Sequence, residues 1–86
     1  MWIVTDKLIF TLYPEDTVEQ EAADIKIRRG GTAEEFILKY KTVEEAKNGW
    51  RTLMNAFKKN YWSAILSNCE AVRITVKPEK RNLFQK

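Results

Sequence analysis

TVEEAKNGWRTLMNAFKKN, residues 42–60, reads as one amphipathic helix, and the rest of the chain is interpreted around it. Ala46, Trp50, Leu53, Met54, Phe57 and the following Tyr61 recur at steps of three and four. That spacing places them on one stripe that must bury against another element. Thr42 is followed three residues later by Glu45, so the Thr hydroxyl can accept from the Glu45 amide while the carboxylate reaches back, a capping box. Glu44 and Glu45 lie near the positive end of the helix dipole, Lys58 and Lys59 near the negative end. Asn60 is placed to stop the helix in a left-handed conformation. Gly49 is the anomaly, because glycine costs about 1 kcal/mol relative to alanine in a helix interior. Two explanations stand: another part of the chain comes close to it, or it faces water beside Asn48.

Immediately upstream, Ile25 and Ile27 alternate with Lys26 and Arg28, and Phe36, Leu38 and Tyr40 alternate with Ile37 and Lys39. Gly30 and Gly31 between them allow a reversal, so the segment predicts a β-hairpin leading into the helix. RRGGT, residues 28–32, lacks the spacing of a phosphate-binding loop and precedes a strand, whereas phosphate cradles open a helix. Further back, Trp2 to Tyr13 alternates as a strand does. Two strands joined through Thr5, Asp6 and Lys7 are preferred over one long bent strand, although neither Gly nor Asn marks the turn. Pro14 ends this region because it cannot donate to a ladder. PEDTVEQEAAD, residues 14–24, has one large apolar residue, Val18, and reads as an acidic connection or a weak helical turn.

Downstream, residues 61–68 read either as helix or as strand; Phe57, Tyr61, Ala64, Ile65 and Asn68 continue the helical spacing, so a short second helix or an extension of the first is preferred over a strand. Val72, Ile74 and Val76 alternate with Arg73, Thr75 and Lys77 in a last strand that Pro78 terminates. The expected fold is α+β: an antiparallel sheet of about four to five strands with the main helix packed on one face. Residues 1–77 form one domain, and residues 78–86 a basic C-terminal tail.

A chain of 86 residues buries a little over roughly 60% of its unfolded surface, so its core must be rich in large side chains. Three Trp, three Tyr and four Phe meet that need, unless part of this aromatic surface serves an oligomer interface. Cys69 is the single cysteine and histidine is absent, which removes intramolecular disulfides, thiolate clusters, the commonest general base and the commonest zinc ligand. Cys69 has no histidine to activate it and stands beside Glu70, so it reads as a small packed residue. No catalytic residue, cofactor or metal is expected. The N-terminus lacks a basic segment followed by a long apolar run, and no stretch approaches a membrane span, so the expected location is the cytoplasm.

Charge is polarised along the chain. Residues 1–45 carry six Lys or Arg against ten Asp or Glu, and residues 46–86 nine against two. Three candidate surfaces follow. Glu15, Asp16, Glu19 and Glu21 could form an acidic ridge for a basic protein groove, against the plainer reading of a solvated connection. Lys47, Arg51, Lys58 and Lys59, extended by Arg73 and Lys77, could contact a phosphate backbone, against a solvated basic face. Leu83 and Phe84 end the tail in an apolar pair that either engages a protein partner or docks on the parent domain or a neighbouring subunit.

Tyr40-x-Thr42-x-Glu44-Glu45-Ala46, with Phe36 and Leu38 before it and Leu53 and Phe57 after, resembles a set of short phage and Firmicutes proteins with a small β-rich core and one packed helix. The resemblance implies a mobile-element origin and a regulator or inhibitor of a host machine, acting in the host cytoplasm. The Leu83-Phe84 pair is similar to the ending of bacterial sliding-clamp ligands, whose glutamine is replaced here by Lys80 or Arg81. The expected function is a small non-enzymatic protein-binding module. Nucleic-acid binding is the alternative, and a homodimer or a homo-oligomer enclosing a small ligand is also open.

Overall fold

The computed structural model describes residues 1–31 and 33–75. The elements run β1 (Trp2–Val4), β2 (Ile9–Thr11), β3 (Thr17–Glu21), β4 (Asp24–Arg28), β5 (Glu34–Tyr40), α1 (Val43–Lys58), β6 (Ser63–Ile65) and β7 (Cys69–Thr75). They build an α+β fold with two sheets: β3-β4-β5-β7, antiparallel throughout, and β2-β1-β6, in which β1 pairs antiparallel with β2 and parallel with β6. The helix lies across β3, β4 and β5 and also touches β6, so it joins the two sheets.

Both ends of α1 follow the sequence. Thr42 Oγ1 accepts from the Glu45 amide at 3.1 Å. At the other end the Asn60 amide donates to the Phe57 carbonyl and the Tyr61 amide to the Ala56 carbonyl, with Asn60 at φ 55, a Schellman closure. The buried stripe is rotated from the expected one. Ala46, Gly49, Leu53 and Ala56 lie innermost, Trp50 and Met54 are partly buried, and Phe57 and Tyr61 are about half exposed. Gly49 is answered by packing: a Cβ built there would lie 2.2 Å from the Tyr40 hydroxyl oxygen.

Two segments differ from expectation. Residues 17–21 are neither a loop nor a helical turn but the edge strand β3, paired with β4 through a two-residue turn at Ala22 (φ 53) and Ala23. Its single inward apolar residue, Val18, suffices because the outward residues pair across the strands: Glu21 with Lys26, and Glu19 with Arg28 at 3.8 Å. Residues 61–68 are not helical. The Schellman closure turns the chain at Asn60, and Ser63–Ile65 then pairs with β1, the Trp2 amide donating to the Trp62 carbonyl and the Leu66 amide to the Val4 carbonyl. The three-four spacing of Ala64, Ile65 and Asn68 was a coincidence of a strand too short to display alternation.

The β1–β2 hairpin closes without Gly or Asn because the buried Thr5 supplies the turn. Its Oγ1 accepts from the Leu8 amide at 3.0 Å and donates to the Leu8 carbonyl at 2.8 Å. Arg29, just after β4, ties the small sheet to the large one. Its Nη1 donates to the Thr11 carbonyl at 2.7 Å and to Asp16 Oδ2 at 2.9 Å, its Nε approaches Glu34 Oε1 at 3.4 Å, and its guanidinium lies over the Tyr13 and Phe36 rings at 4.9 and 5.1 Å. Phe36 in turn stacks on Phe10 with centroids 3.9 Å apart.

Candidate interaction surfaces

The outer face of the small sheet is apolar. Register brings Ile9, Val4 and Ile65 into one cross-strand row and Thr11, Trp2 and Ser63 into the next. Ile3, Phe10 and Ala64, which alternate with these residues, are buried on the other side. Ile9 is 61% and Ile65 69% exposed, and no side chain in either row is charged. Trp62, whose carbonyl holds the Trp2 amide, is 87% exposed at the same end. The sequence signal of this face lies in Trp2–Tyr13, where both parities carry large apolar residues.

Beside this sheet, Met1, Tyr13, Pro14, Phe57, Asn60 and Tyr61 line a groove of about 340 Å³ between the end of α1 and the turn after β2. Tyr13 is held in place by its Arg29 stack and by its amide, which donates to Asp16 Oδ2 at 2.9 Å. Phe57, Asn60 and Tyr61 are fixed by the helix closure.

The residues proposed from sequence are dispersed. The Asp16 side chain is fully buried and structural: Arg29 and the Tyr13 and Gly30 amides occupy its carboxylate. Glu19 and Glu21 stand on the outer side of β3 in ion pairs, and Glu15 is exposed beside Gly30. Lys47, Arg51 and Lys58 are exposed on α1 and Lys59 caps it, with Arg51 Nη1 donating to Asn48 Oδ1 at 2.8 Å. Arg73 belongs to β7, which α1 does not touch among the described residues, and its Nε pairs with Glu34 Oε2 at 2.6 Å. Lys77, Leu83 and Phe84 lie outside the described residues.

One polar cleft, of about 140 Å³, lies between α1 and residues 65–68, and the Tyr40 and Glu45 side chains reach its wall. The Tyr40 hydroxyl and Glu45 Oε1 are sealed from solvent without a hydrogen-bond partner among the described residues. Burial, reinforced by the adjacent Cys69, pushes the Tyr40 phenol above its usual range. Cys69 is likewise pushed up, chiefly by burial, and its thiol donates to the Leu66 carbonyl at 3.5 Å. An unpaired buried hydroxyl carries a desolvation cost with no return. Tyr40→Phe is therefore expected to leave stability unchanged or to raise it by up to about 1 kcal/mol, read from the denaturant midpoint. In the unfolded chain the phenol ionises near pH 10, while the folded state keeps its proton, so this residue makes stability fall as pH rises above about 10. Tyr40→Phe should flatten that alkaline decline; a steeper decline in the variant would contradict the assignment.

No family model, no curated protein and no solved structure matches this chain. The surfaces themselves must carry the functional argument. Among the described residues no helix is long and apolar enough to cross a membrane.

Proposed function

We propose that the chain is a non-enzymatic protein-binding module whose main contact surface is the open face of the small sheet. The observation that carries this is the uncharged row Ile9–Val4–Ile65 with Trp2 beside it, on a face that no other element of the described chain covers. An exposed apolar patch of this kind is where soluble domains meet partners, and aromatic residues dominate the energetics of such contacts. The lack of charge in the patch argues for an apolar partner surface rather than an acidic or basic one. Nucleic-acid binding has less support, because Arg73 is engaged by Glu34 on a strand that α1 does not contact among the described residues. The finer reading, a phage-encoded regulator or inhibitor of a host machine, rests on the resemblance around Tyr40–Ala46 alone.

The test uses Ile65→Lys and Ile9→Lys. Both positions are exposed, so stability should change by no more than about 0.5 kcal/mol. Immobilised wild type should retain a protein partner from lysate at physiological salt, or self-associate in sedimentation, and both variants should weaken that association at least tenfold. Unchanged association in both variants, or a wild type that is monomeric and retains nothing, would sink the proposal.

A further inference from the structure

We propose that the groove lined by Tyr13, Pro14, Phe57, Asn60 and Tyr61 binds an extended, proline-rich peptide segment. This takes the protein-binding reading as its frame but uses a different surface, so the two can fail separately.

Three aromatic rings, each about half exposed, converge on one groove of about 340 Å³. Left-handed polyproline chains are recognised in aromatic-lined grooves, because proline rings pack flat against aromatic faces and the chain is already ordered before it binds. Such a chain makes no internal hydrogen bonds, so its carbonyls are free to accept. The Tyr13 and Tyr61 hydroxyls and the Asn60 carboxamide are donors of the kind required. The groove walls are preorganised: the Arg29 stack holds one side and the Schellman closure the other. Rigid walls lower the ordering cost of binding.

Area and charge select the occupant. Half of each ring's surface amounts to on the order of 100 Å², so the three together offer about 300 Å². That falls well short of the roughly 800 Å² per partner of a stable interface between folded proteins, which argues against a second copy seated here and suits a short segment. No lining side chain is charged. A nucleic-acid strand could stack its bases on the rings but would find for its phosphates only the Met1 ammonium, already donating to the Leu12 carbonyl at 3.2 Å, whereas a neutral peptide backbone meets an otherwise uncharged surface.

The experiment is an amide-resolved NMR titration of the full chain with decaproline, with a Gly-Ser peptide of equal length and oligothymidylate as comparisons. Decaproline should produce saturable shifts at Tyr13, Phe57, Asn60 and Tyr61 at up to millimolar concentration, and the Gly-Ser peptide should not. Tyr61→Ala should weaken binding at least tenfold. Tyr61→Phe, which removes only a hydroxyl from a half-exposed ring and so leaves the fold in place, should weaken it a few-fold. Ile65→Lys should leave it within twofold. Absence of groove shifts with decaproline, equal binding of the Gly-Ser peptide, or tighter binding of oligothymidylate to the same amides would overturn the proposal.

Discussion

Arg29→Ala is expected to be the most damaging single substitution of a non-aliphatic residue, costing about 3–5 kcal/mol. The Asp16 side chain is fully buried and that of Arg29 is only 13% exposed, with 2.9 Å between Nη1 and Oδ2. Removing the guanidinium leaves a buried carboxylate without a cation, which is costlier than the pair itself is worth. The variant also loses the bond to the Thr11 carbonyl, which ties the small sheet to the large one, and the packing against Tyr13 and Phe36. For a domain of this size, 1 kcal/mol corresponds to roughly 4–8 °C in Tm, so thermal unfolding should begin more than 10 °C earlier. The double variant Arg29→Met with Asp16→Asn, which leaves no uncompensated charge, should recover part of the loss. A cost below about 1 kcal/mol for Arg29→Ala would mean that the cluster does not hold the sheets together.

Gly49→Ala is expected to destabilise by about 1–3 kcal/mol, as overpacking of a filled core does. Helix propensity alone predicts the opposite sign, a gain of about 1 kcal/mol. The steric argument wins because the new methyl would stand 2.2 Å from the Tyr40 hydroxyl oxygen and 2.7 Å from the adjoining ring carbon. The Tyr40 ring is buried on β5, a strand paired on both sides by β4 and β7. In a Tyr40→Phe background the nearest clash disappears, so the cost of Gly49→Ala should shrink while the ring-carbon contact preserves some of it. Equilibrium denaturation of the four proteins of this cycle reads the coupling directly. A stabilising Gly49→Ala would contradict the placement of Tyr40 over the helix.

The parts of the fold legible in the sequence were those with redundant local signals. The helix carried a cap, a dipole-matched charge pattern, a left-handed Asn and a stripe, and it spans Val43–Lys58 as those signals require. The β4–β5 hairpin carried alternation on both sides of Gly30-Gly31, and Ile25, Ile27, Phe36 and Leu38 are buried accordingly. The failures occurred where tertiary pairing outweighs local pattern. Strand β3 pairs with β4 along its whole length, and Lys26 and Arg28 reach diagonally to Glu21 and Glu19, a relation between two strands that composition along one cannot display. Strand β6 exists because β1 offers it a parallel edge. The stripe's rotation toward Gly49 and Ala56 follows from the close approach of Tyr40, which spacing alone does not encode.

The candidate surfaces were less legible for a related reason. Charged residues draw attention in a sequence, yet here Asp16, Glu19, Glu21 and Arg73 are occupied with one another's neighbours in ion pairs. The residues left open are apolar ones that sequence reasoning sends to the core: Ile9 and Ile65 on the sheet face, Phe57 and Tyr61 in the groove. Aromatic content far above what the core uses was the available signal. Of the three tryptophans, only Trp50 packs against the core, while Trp2 and Trp62 face out.

Site-specific photo-crosslinking in cells tests the central claim most directly. A photoreactive residue placed at Ile65, on the open face of the small sheet, should yield a discrete covalent adduct with a protein. The same residue at Lys26, on the charged outer face of the large sheet, should yield none. Adducts from Lys26 but not from Ile65 would contradict the account.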